Sequence, residues 1–253
     1  MIVCKSPAEI EKMRAASLLV AEVLEEIAAM VAPGVSTLDL DAAAERLVRD
    51  AGAQPAFKGY RGYPNTICAS LNEQVIHGIP SKQPLAEGDI ISLDMGVKMN
   101  GFFGDSAVTV PVGKIPAQAA ELLRVTRESL DKGIEQVRLG GRVSDIGHAI
   151  QAHVEAHGFS VVREFVGHGI GASLHEDPQI ANYGDPGRGP RLAEGMTLAI
   201  EPMVNVGKPG VKMLPDGWTA VTRDGSLSAH FEHTVAVTKS RPLVLTRAAS
   251  RAR

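Results

Sequence analysis

The stretch Ile90-Ile91-Ser92-Leu93-Asp94-Met95-Gly96-Val97-Lys98-Met99-Asn100-Gly101-Phe102-Phe103-Gly104-Asp105-Ser106-Ala107-Val108-Thr109-Val110 decides how this chain folds. Two β-like runs flank Asn100-Gly101, a dipeptide suited to a two-residue turn with positive φ at both positions. That turn sets the register: Met99 opposes Phe102, Gly96 opposes Asp105, and Asp94 opposes Ala107. Opposed residues point to the same side of a sheet. Asp94 and Asp105 therefore become diagonal neighbours on one face, among the small residues Ser92, Gly96 and Ala107. Leu93, Met95 and Val97 fall on the other face, where they are expected to pack on helices.

Helix signals lie upstream. Ser6-Pro7-Ala8-Glu9 combines an N-cap, a proline at the first helical position and a capping-box glutamate. Leu18, Val20, Val23, Leu24 and Ile27 follow at helical spacing, and Ala32-Pro33-Gly34 stops the run. A second helix starts near Ser36-Thr37 and ends at Gly52. The same order returns about a hundred residues later. Pro116 opens a helix through Leu122, Leu123, Leu130 and Ile134, Gly140-Gly141 breaks it, and Val143-Ser144-Asp145 starts another that runs to Gly158. Gly34-Val35-Ser36-Thr37 matches Gly141-Arg142-Val143-Ser144 in this order, with a Val-Ser cap expected in both. The pattern implies an internal duplication with halves of about 1–112 and 113–246, each giving two helices and then strands.

In the second half, Met196 to Val206, Trp218 to Thr222 and Ala229 to Thr238 read as strands. Period-2 alternation places Glu201 with Thr197 and Ala199, away from Leu198 and Ile200. Glu232 likewise lies with His230 and Thr234, away from Phe231, His233 and Val235. A single acid in a strand is ordinarily a solvated face. Four in otherwise apolar strands would repel one another if they converged, and divalent cations remove that repulsion. Four carboxylates and one imidazole make a hard ligand set, suited to Mn²⁺, Fe²⁺ or Co²⁺ with Zn²⁺ possible. A structural zinc site would use cysteines instead.

The imidazole candidates are His168 and His175, in and after Gly167-His168-Gly169-Ile170-Gly171. Their spacing is not the i, i+4 pair of a helical zinc site, and the glycines let backbone pass close to a ligand. The run lacks the rest of a dinucleotide fingerprint. His77, in Val75-Ile76-His77-Gly78-Ile79-Pro80, reads on its own as a core or surface histidine. So do His148, His153, His157 and His233.

Composition narrows the class. With 253 residues and 44% hydrophobic content the chain can bury a large core. A net charge of −3 with interspersed signs gives no reason to expect nucleic acid or a membrane surface as partner. The one biased run, Arg247-Ala-Ala-Ser-Arg-Ala-Arg253, is expected to be a flexible basic tail. Cys4 and Cys68 show no disulfide spacing, the N-terminus no signal-peptide pattern, and no apolar run reaches bilayer length. A cytoplasmic, monomeric protein is expected.

Taken together, these segments resemble the type I methionine aminopeptidases. The matching residues are Tyr63-Pro64, Ile67-Cys68, Asn72-Glu73, His77-Gly78-Ile79-Pro80, Asp94-Met95-Gly96, Gly104-Asp105-Ser106 and Gly167 to Gly171. His175-Glu176-Asp177-Pro178, Glu201-Pro202, Asp216-Gly217-Trp218, Ser226 to Ala229 and Glu232-His233-Thr234 complete them, in the family's order over nearly the whole chain. The resemblance implies an α+β architecture. It is the duplicated pita-bread fold, a curved antiparallel sheet backed by helices with halves related by a pseudo-two-fold axis, as one catalytic domain over 1–253. It implies two divalent metal ions held by Asp94, Asp105, His168, Glu201 and Glu232, with Asp105 and Glu232 between them. It gives His77 and His175 contact with substrate and transition state, and maps a methionine pocket to Tyr60, Tyr63, Cys68 and Trp218.

The implied activity is removal of the initiator methionine from nascent polypeptides, near the ribosome, when the second residue is small. Metal-activated water would attack the first peptide bond. Glu201 would pass a proton towards the leaving amine, His175 would stabilise the oxyanion and His77 would position the scissile amide. Phe57, Phe165, Leu174 and His230 depart from the better-known bacterial pattern, which has cysteine, tyrosine, an aromatic and glutamine there. The chain lacks the N-terminal zinc-finger extension of eukaryotic relatives and the helical insertion of type II enzymes, so a bacterial-like form is expected. A prolyl-type peptidase on the same fold and a non-enzymatic binding module are the competing readings. The first usually carries a further N-terminal domain, and the second tends to lose metal ligands.

Overall fold

The computed structural model describes residues 1–247. Of the basic run, Arg247 is described and pairs with Asp131 at 2.9 Å, while 248–253 lie outside the described residues. No helix among the described residues is long and apolar enough to cross a membrane.

Helix α1 (Pro7–Ala29) begins as the sequence dictates. The Ser6 side chain accepts the Glu9 N–H, and the Glu9 carboxylate accepts the Ser6 N–H. Helix α2 (Thr37–Asp50) repeats the device with Ser36 and Asp39. Helices α3 (Ala117–Glu135) and α4 (Val143–Ala156) form the second pair. At α4 the expected Val-Ser cap is corrected: Arg142 holds the N-cap position and Ser144 lies inside the helix. The Arg142 N–H is held by the Asp145 carboxylate at 2.8 Å, as the Ser36 N–H is by Asp39. The two segments thus align one residue away from the order read in the sequence, with Gly34 (φ +91°) matching Gly140 (φ +84°) rather than Gly141.

Strands follow each helix pair. The first half supplies β1 (Gln54–Pro55), β2 (Cys68–Leu71), β3 (Gln74–Ile76), β4 (Ile90–Met99) and β5 (Phe102–Pro111). The second begins with β6 (Ser160–Val161), β7 (Gly167–Gly169), β8 (Glu176–Ile180), β9 (Thr197–Ile200) and β10 (Met203–Asn205). It continues with β11 (Val211–Met213), β12 (Ala220–Thr222), β13 (Ser228–His230), β14 (Glu232–Ala236) and β15 (Leu243–Val244). Nine strands make the main antiparallel sheet, in the order β1-β4-β5-β14-β9-β7-β8, with β15 on β14 and β2 on β4. Two three-stranded sheets, β13-β10-β6 and β11-β12-β3, flank it.

The β4–β5 hairpin has the expected register at every named pair, with Asn100 (φ +53°) and Gly101 (φ +83°) in the left-handed turn. Ile91, Leu93, Met95 and Val97 pack on α1 and α2, while Leu198, Ile200, Phe231 and Val235 pack on α3 and α4. Each such fully buried aliphatic side chain stabilises the fold by about 1.5–3 kcal/mol. Gly104 lets α1 sit directly on β5, because a Cβ there would run into the Ser17 backbone. The helices thus cover one side of the main sheet and leave the acidic side free. This is the pita-bread arrangement.

Two segments expected as single strands are each broken. Met196–Val206 forms β9 and β10, which belong to different sheets and are separated by Glu201-Pro202. Ala229–Thr238 divides at Phe231 into β13 and β14. Pro202 has no N–H to continue a ladder. Both glutamates stand at these breaks.

Candidate active site

Two rows of side chains cross the uncovered face of the main sheet. In the first, Asp94 opposes Ala107 and Ala107 opposes Glu232. Glu201 follows β9 directly, one step beyond the Ile200–His233 pair, and so continues this row next to Glu232. In the second, Asp105 is tied to Thr234, whose hydroxyl takes the Asp105 N–H (3.2 Å) and donates to its carbonyl (2.8 Å). Thr234 opposes Ala199, and Ala199 opposes His168. The small side chains of Ala107 and Ala199 leave the space between the acids open.

Asp105, His168 and Glu232 each place one donor atom within 4.8 Å of the others. His168 Nε2 lies 3.5 Å from Glu201. Its Nδ1 is 2.8 Å from the Gly169 carbonyl, which can only accept. Nδ1 therefore carries the proton, and the Nε2 lone pair faces the acids, as metal-ligating histidines are held.

Among the described residues no Lys or Arg pairs with these carboxylates, and Asp94, Asp105 and Glu232 each have a buried oxygen with no hydrogen-bond partner. Burial pushes the Asp94 carboxyl up to about 8. Burial also raises Asp105, Glu201 and Glu232 well above the usual carboxylate range, and repulsion between the acids adds to each. His168 is driven down to about 4 by burial and by His175. Buried charge of one sign is costly unless something compensates it. The unpartnered oxygens and the free imidazole nitrogen fit a divalent cation.

All the site residues read from the sequence line one cavity of about 200 Å³: Tyr60, Tyr63, Cys68, His77, Asp94, Asp105, His168, His175, Glu201, Trp218 and Glu232. Beside the acids the wall is aromatic. The Tyr63 ring meets Trp218 edge-on at 5.1 Å, and His77 meets Phe165 edge-on at 5.7 Å. The Tyr63 hydroxyl lies 3.0 Å from the carbonyls of both Ile67 and Gly78, which fixes that ring. Burial, reinforced by Asp94, keeps the Cys68 thiol protonated. His77 adopts φ +61°, a conformation non-glycine residues rarely take and one that recurs at functional sites. Burial lowers its imidazole to about 4. His175, also in the cavity lining, stacks on Tyr60 with ring centres 5.3 Å apart and its Nδ1 2.9 Å from the Tyr60 hydroxyl. Its ring centre is 4.2 Å from that of His168.

Of the unusual positions, Phe57, Phe165 and Leu174 line the cavity. His230 is not among the lining residues; its Nε2 lies 3.8 Å from Glu201 and has no hydrogen-bond partner among the described residues. Gly96 makes room for the cavity wall, since a Cβ there would press on the Phe57 and Ala56 side chains. Sequence reasoning missed Arg61, Ile76 and Val166 as cavity residues and Thr234 as the clamp on Asp105. Arg61 carries a signal only in hindsight: it lies between Tyr60 and Gly62, in a loop rich in glycine.

Residues 11–239 match the family model described as metallopeptidase family M24. Methionine aminopeptidase 1 of Bacillus subtilis is 55% identical over 247 residues, covering 98% of this chain and all of the relative. The crystal structure of methionine aminopeptidase from Rickettsia prowazekii superposes with a TM-score of 0.96 at 43% identity, covering 98% of this chain and all of that one. The Thermotoga maritima methionine aminopeptidase gives 0.96 at 49%, with the same coverage. Prolidase from Pyrococcus furiosus shares the fold alone, with a TM-score of 0.80 at 21% identity, and this chain covers 66% of its length. The chain belongs to metallopeptidase family M24, whose chemistry depends on divalent metal.

Proposed function

We propose that this protein removes the N-terminal methionine from newly made polypeptides. The observation that carries the reading is one cavity in which four buried carboxylates and His168 adjoin a pocket walled by Tyr60, Tyr63, Cys68, His77, Phe165 and Trp218. Five ligands from Asp94, Asp105, His168, Glu201 and Glu232 suit two divalent ions of the Mn²⁺, Fe²⁺, Co²⁺ or Zn²⁺ type. When bound, such ions supply Lewis acidity, acidifying a water and polarising the scissile carbonyl. The rest falls to the side chains. The aromatic pocket takes the thioether, which packs well at ring edges. His77 positions the scissile amide. His175, held neutral by burial and by Arg61, donates to the developing oxyanion. Glu201 carries the proton towards the leaving amine. The restricted cavity favours a small second residue. We further propose that the two halves, about 1–112 and 113–246, arose by duplication and form one catalytic unit. We place it as a monomer in the cytoplasm, with nascent N-termini near the ribosome as its substrates and neither nucleic acid nor membrane as partner.

The test is methionine release from Met-Ala-Ser by metal-stripped protein, with metals added back singly and Ala-Pro as competing substrate. Metal-dependent cleavage of Met-Ala-Ser alone is the expected result. The Asp105→Ala variant should lose both metal binding, read by calorimetry, and turnover, by at least about a thousandfold. Turnover of that variant at the wild-type rate with Mn²⁺ or Co²⁺ present would end the scheme, and preference for Ala-Pro would point to the prolidase reading.

A further inference from the structure

We propose that Lys5 is a positioning residue for His175, acting through Glu176. The proposal rests on the reading of His175 as a catalytic group. His175 sits in the short segment between β7 and β8, and its ring is exposed on one side. Something beneath that segment has to hold it.

The support is an ion pair that spans 171 residues of chain. Lys5 Nζ lies 2.5 Å from Glu176 Oε2 and donates also to the Val3 carbonyl at 3.0 Å. Both side chains are largely buried, with 4% and 14% exposure. The other Glu176 oxygen accepts the Ser173 N–H at 3.0 Å. Ser173 in turn accepts the Gly171 N–H at 3.0 Å, and the Gly171 carbonyl accepts the Phe103 N–H at 2.9 Å. The Lys5 backbone is pinned at its other end, donating to the Gly195 carbonyl at 2.7 Å. A Cβ on Gly171 or on Gly195 would run into Lys5, so both glycines make room for it. The lysine is thus a strut between the chain before α1 and the underside of the Gly171–Glu176 segment. His175 is the next residue along from Glu176.

An ion pair is a weak choice for stability alone. Desolvating both charges largely cancels their attraction, and apolar residues of equal size would serve as well. What the pair adds is direction, because each group accepts only certain partners at certain angles. That suits a segment whose task is to present one imidazole at a set distance from the acids, where displacement by about 1 Å lowers turnover on the order of a hundredfold.

The experiment uses the full chain with Mn²⁺ and Met-Ala-Ser, comparing wild type, Lys5→Met, Glu176→Gln, His175→Ala and the double variants. Lys5→Met should lower kcat by about tenfold with KM changed much less, since Tyr63, Cys68 and Trp218 of the methionine pocket do not touch the strut, and leave the Mn²⁺ binding isotherm in place. In the His175→Ala background the same substitution should cost less than about twofold, the mark of two residues acting as a unit. Glu176→Gln, which keeps the Ser173 contact, should behave like Lys5→Met and serves if the latter does not fold. An equal loss in both backgrounds, an unchanged kcat, or failure of both variants to fold would overturn the proposal and leave Lys5 a structural residue. Wild-type kcat in His175→Ala would instead remove the catalytic reading of His175, and the proposal with it.

Discussion

The two halves of the acidic face put carboxylates in place by opposite means. Asp94 and Asp105 sit in the middle of ten-residue strands, paired without interruption across a two-residue turn. Glu201 and Glu232 sit at the points where a strand leaves one sheet for another. Regular register fixes the first pair redundantly, because every neighbouring rung would have to slip with it. The second pair depends on single local features, Pro202 and Phe231. Convergence of the four therefore joins a robust side to a locally determined one.

The largest effect should come from setting the electrostatic cost of that convergence free. In metal-free protein these acids are protonated in the native state well above the range in which they ionise when unfolded. Asp94 is held up to about 8 by burial, against about 3.9 in the unfolded chain. Folded protein then binds more protons than unfolded protein between those values, so stability falls as pH rises from about 4 to about 8. The loss should be on the order of several kcal/mol. Added Mn²⁺ or Co²⁺ should reverse the trend, because ionised carboxylates are the form that binds. Thermal unfolding of stripped and loaded protein at pH 5 and pH 8 reads both. A stripped protein equally stable at the two pH values would mean that the acids do not converge in solution.

The contrast between the halves also explains what the amino-acid order could reveal. The hairpin was legible because Asn100-Gly101 is a local signal and period-2 alternation does the rest. Helices α1 and α2 were legible because their capping boxes are local too, while the start of α4, without a side-chain cap, was read one residue away. The break at Phe231 was not, since apolar alternation runs through it and the positions of neighbouring sheets decide where the chain crosses, whereas Pro202 is a local breaker inside a segment read as one strand. Gly167 and Gly169, read as letting the backbone pass close to a ligand, lie in β7. A Cβ on either would strike the backbone of Ala199 or Asp177, so glycine here permits pairing and not irregularity. The Lys5–Glu176 strut and the Thr234 clamp on Asp105 join residues over 100 positions apart. No local pattern announces such pairs.

Swapping the weak points should expose the difference directly. Gly101→Ala forces a Cβ into φ +83° with nothing else in its way. It should cost about 1–2 kcal/mol of stability and leave kcat intact, because ten rungs still hold Asp94 and Asp105. Pro202→Val restores an N–H and a strand-forming side chain beside Glu201. It should change stability by less than about 1 kcal/mol yet lower kcat by about tenfold, by letting the ladder run on and turning the carboxylate. Unfolding midpoints and steady-state kinetics on the two variants suffice. A Gly101→Ala enzyme that loses turnover while Pro202→Val keeps it would reverse the assignment of robust and local sides.

The smallest effect concerns the helices behind each half. Ser36 caps α2 with its hydroxyl, accepting the Asp39 N–H at 3.2 Å. Arg142, at the equivalent position of α4, offers no acceptor, and only Asp145 reaches back to it. Ser36→Ala should therefore cost about 1 kcal/mol, while Arg142→Ser should gain about 0.5 kcal/mol by supplying the missing cap. At this chain length each kcal/mol moves the midpoint by about 2–4 °C. The two shifts should carry opposite signs, with kcat unchanged in both, since neither helix start touches the cavity. Arg142 also donates to the Gly189 carbonyl at 2.8 Å, but this contact is exposed and its loss is worth less than a cap. Shifts of the same sign would mean that the backbone at the start of α4 does not present its N–H groups as α2 does, and the one-residue realignment of the two halves would have to be abandoned.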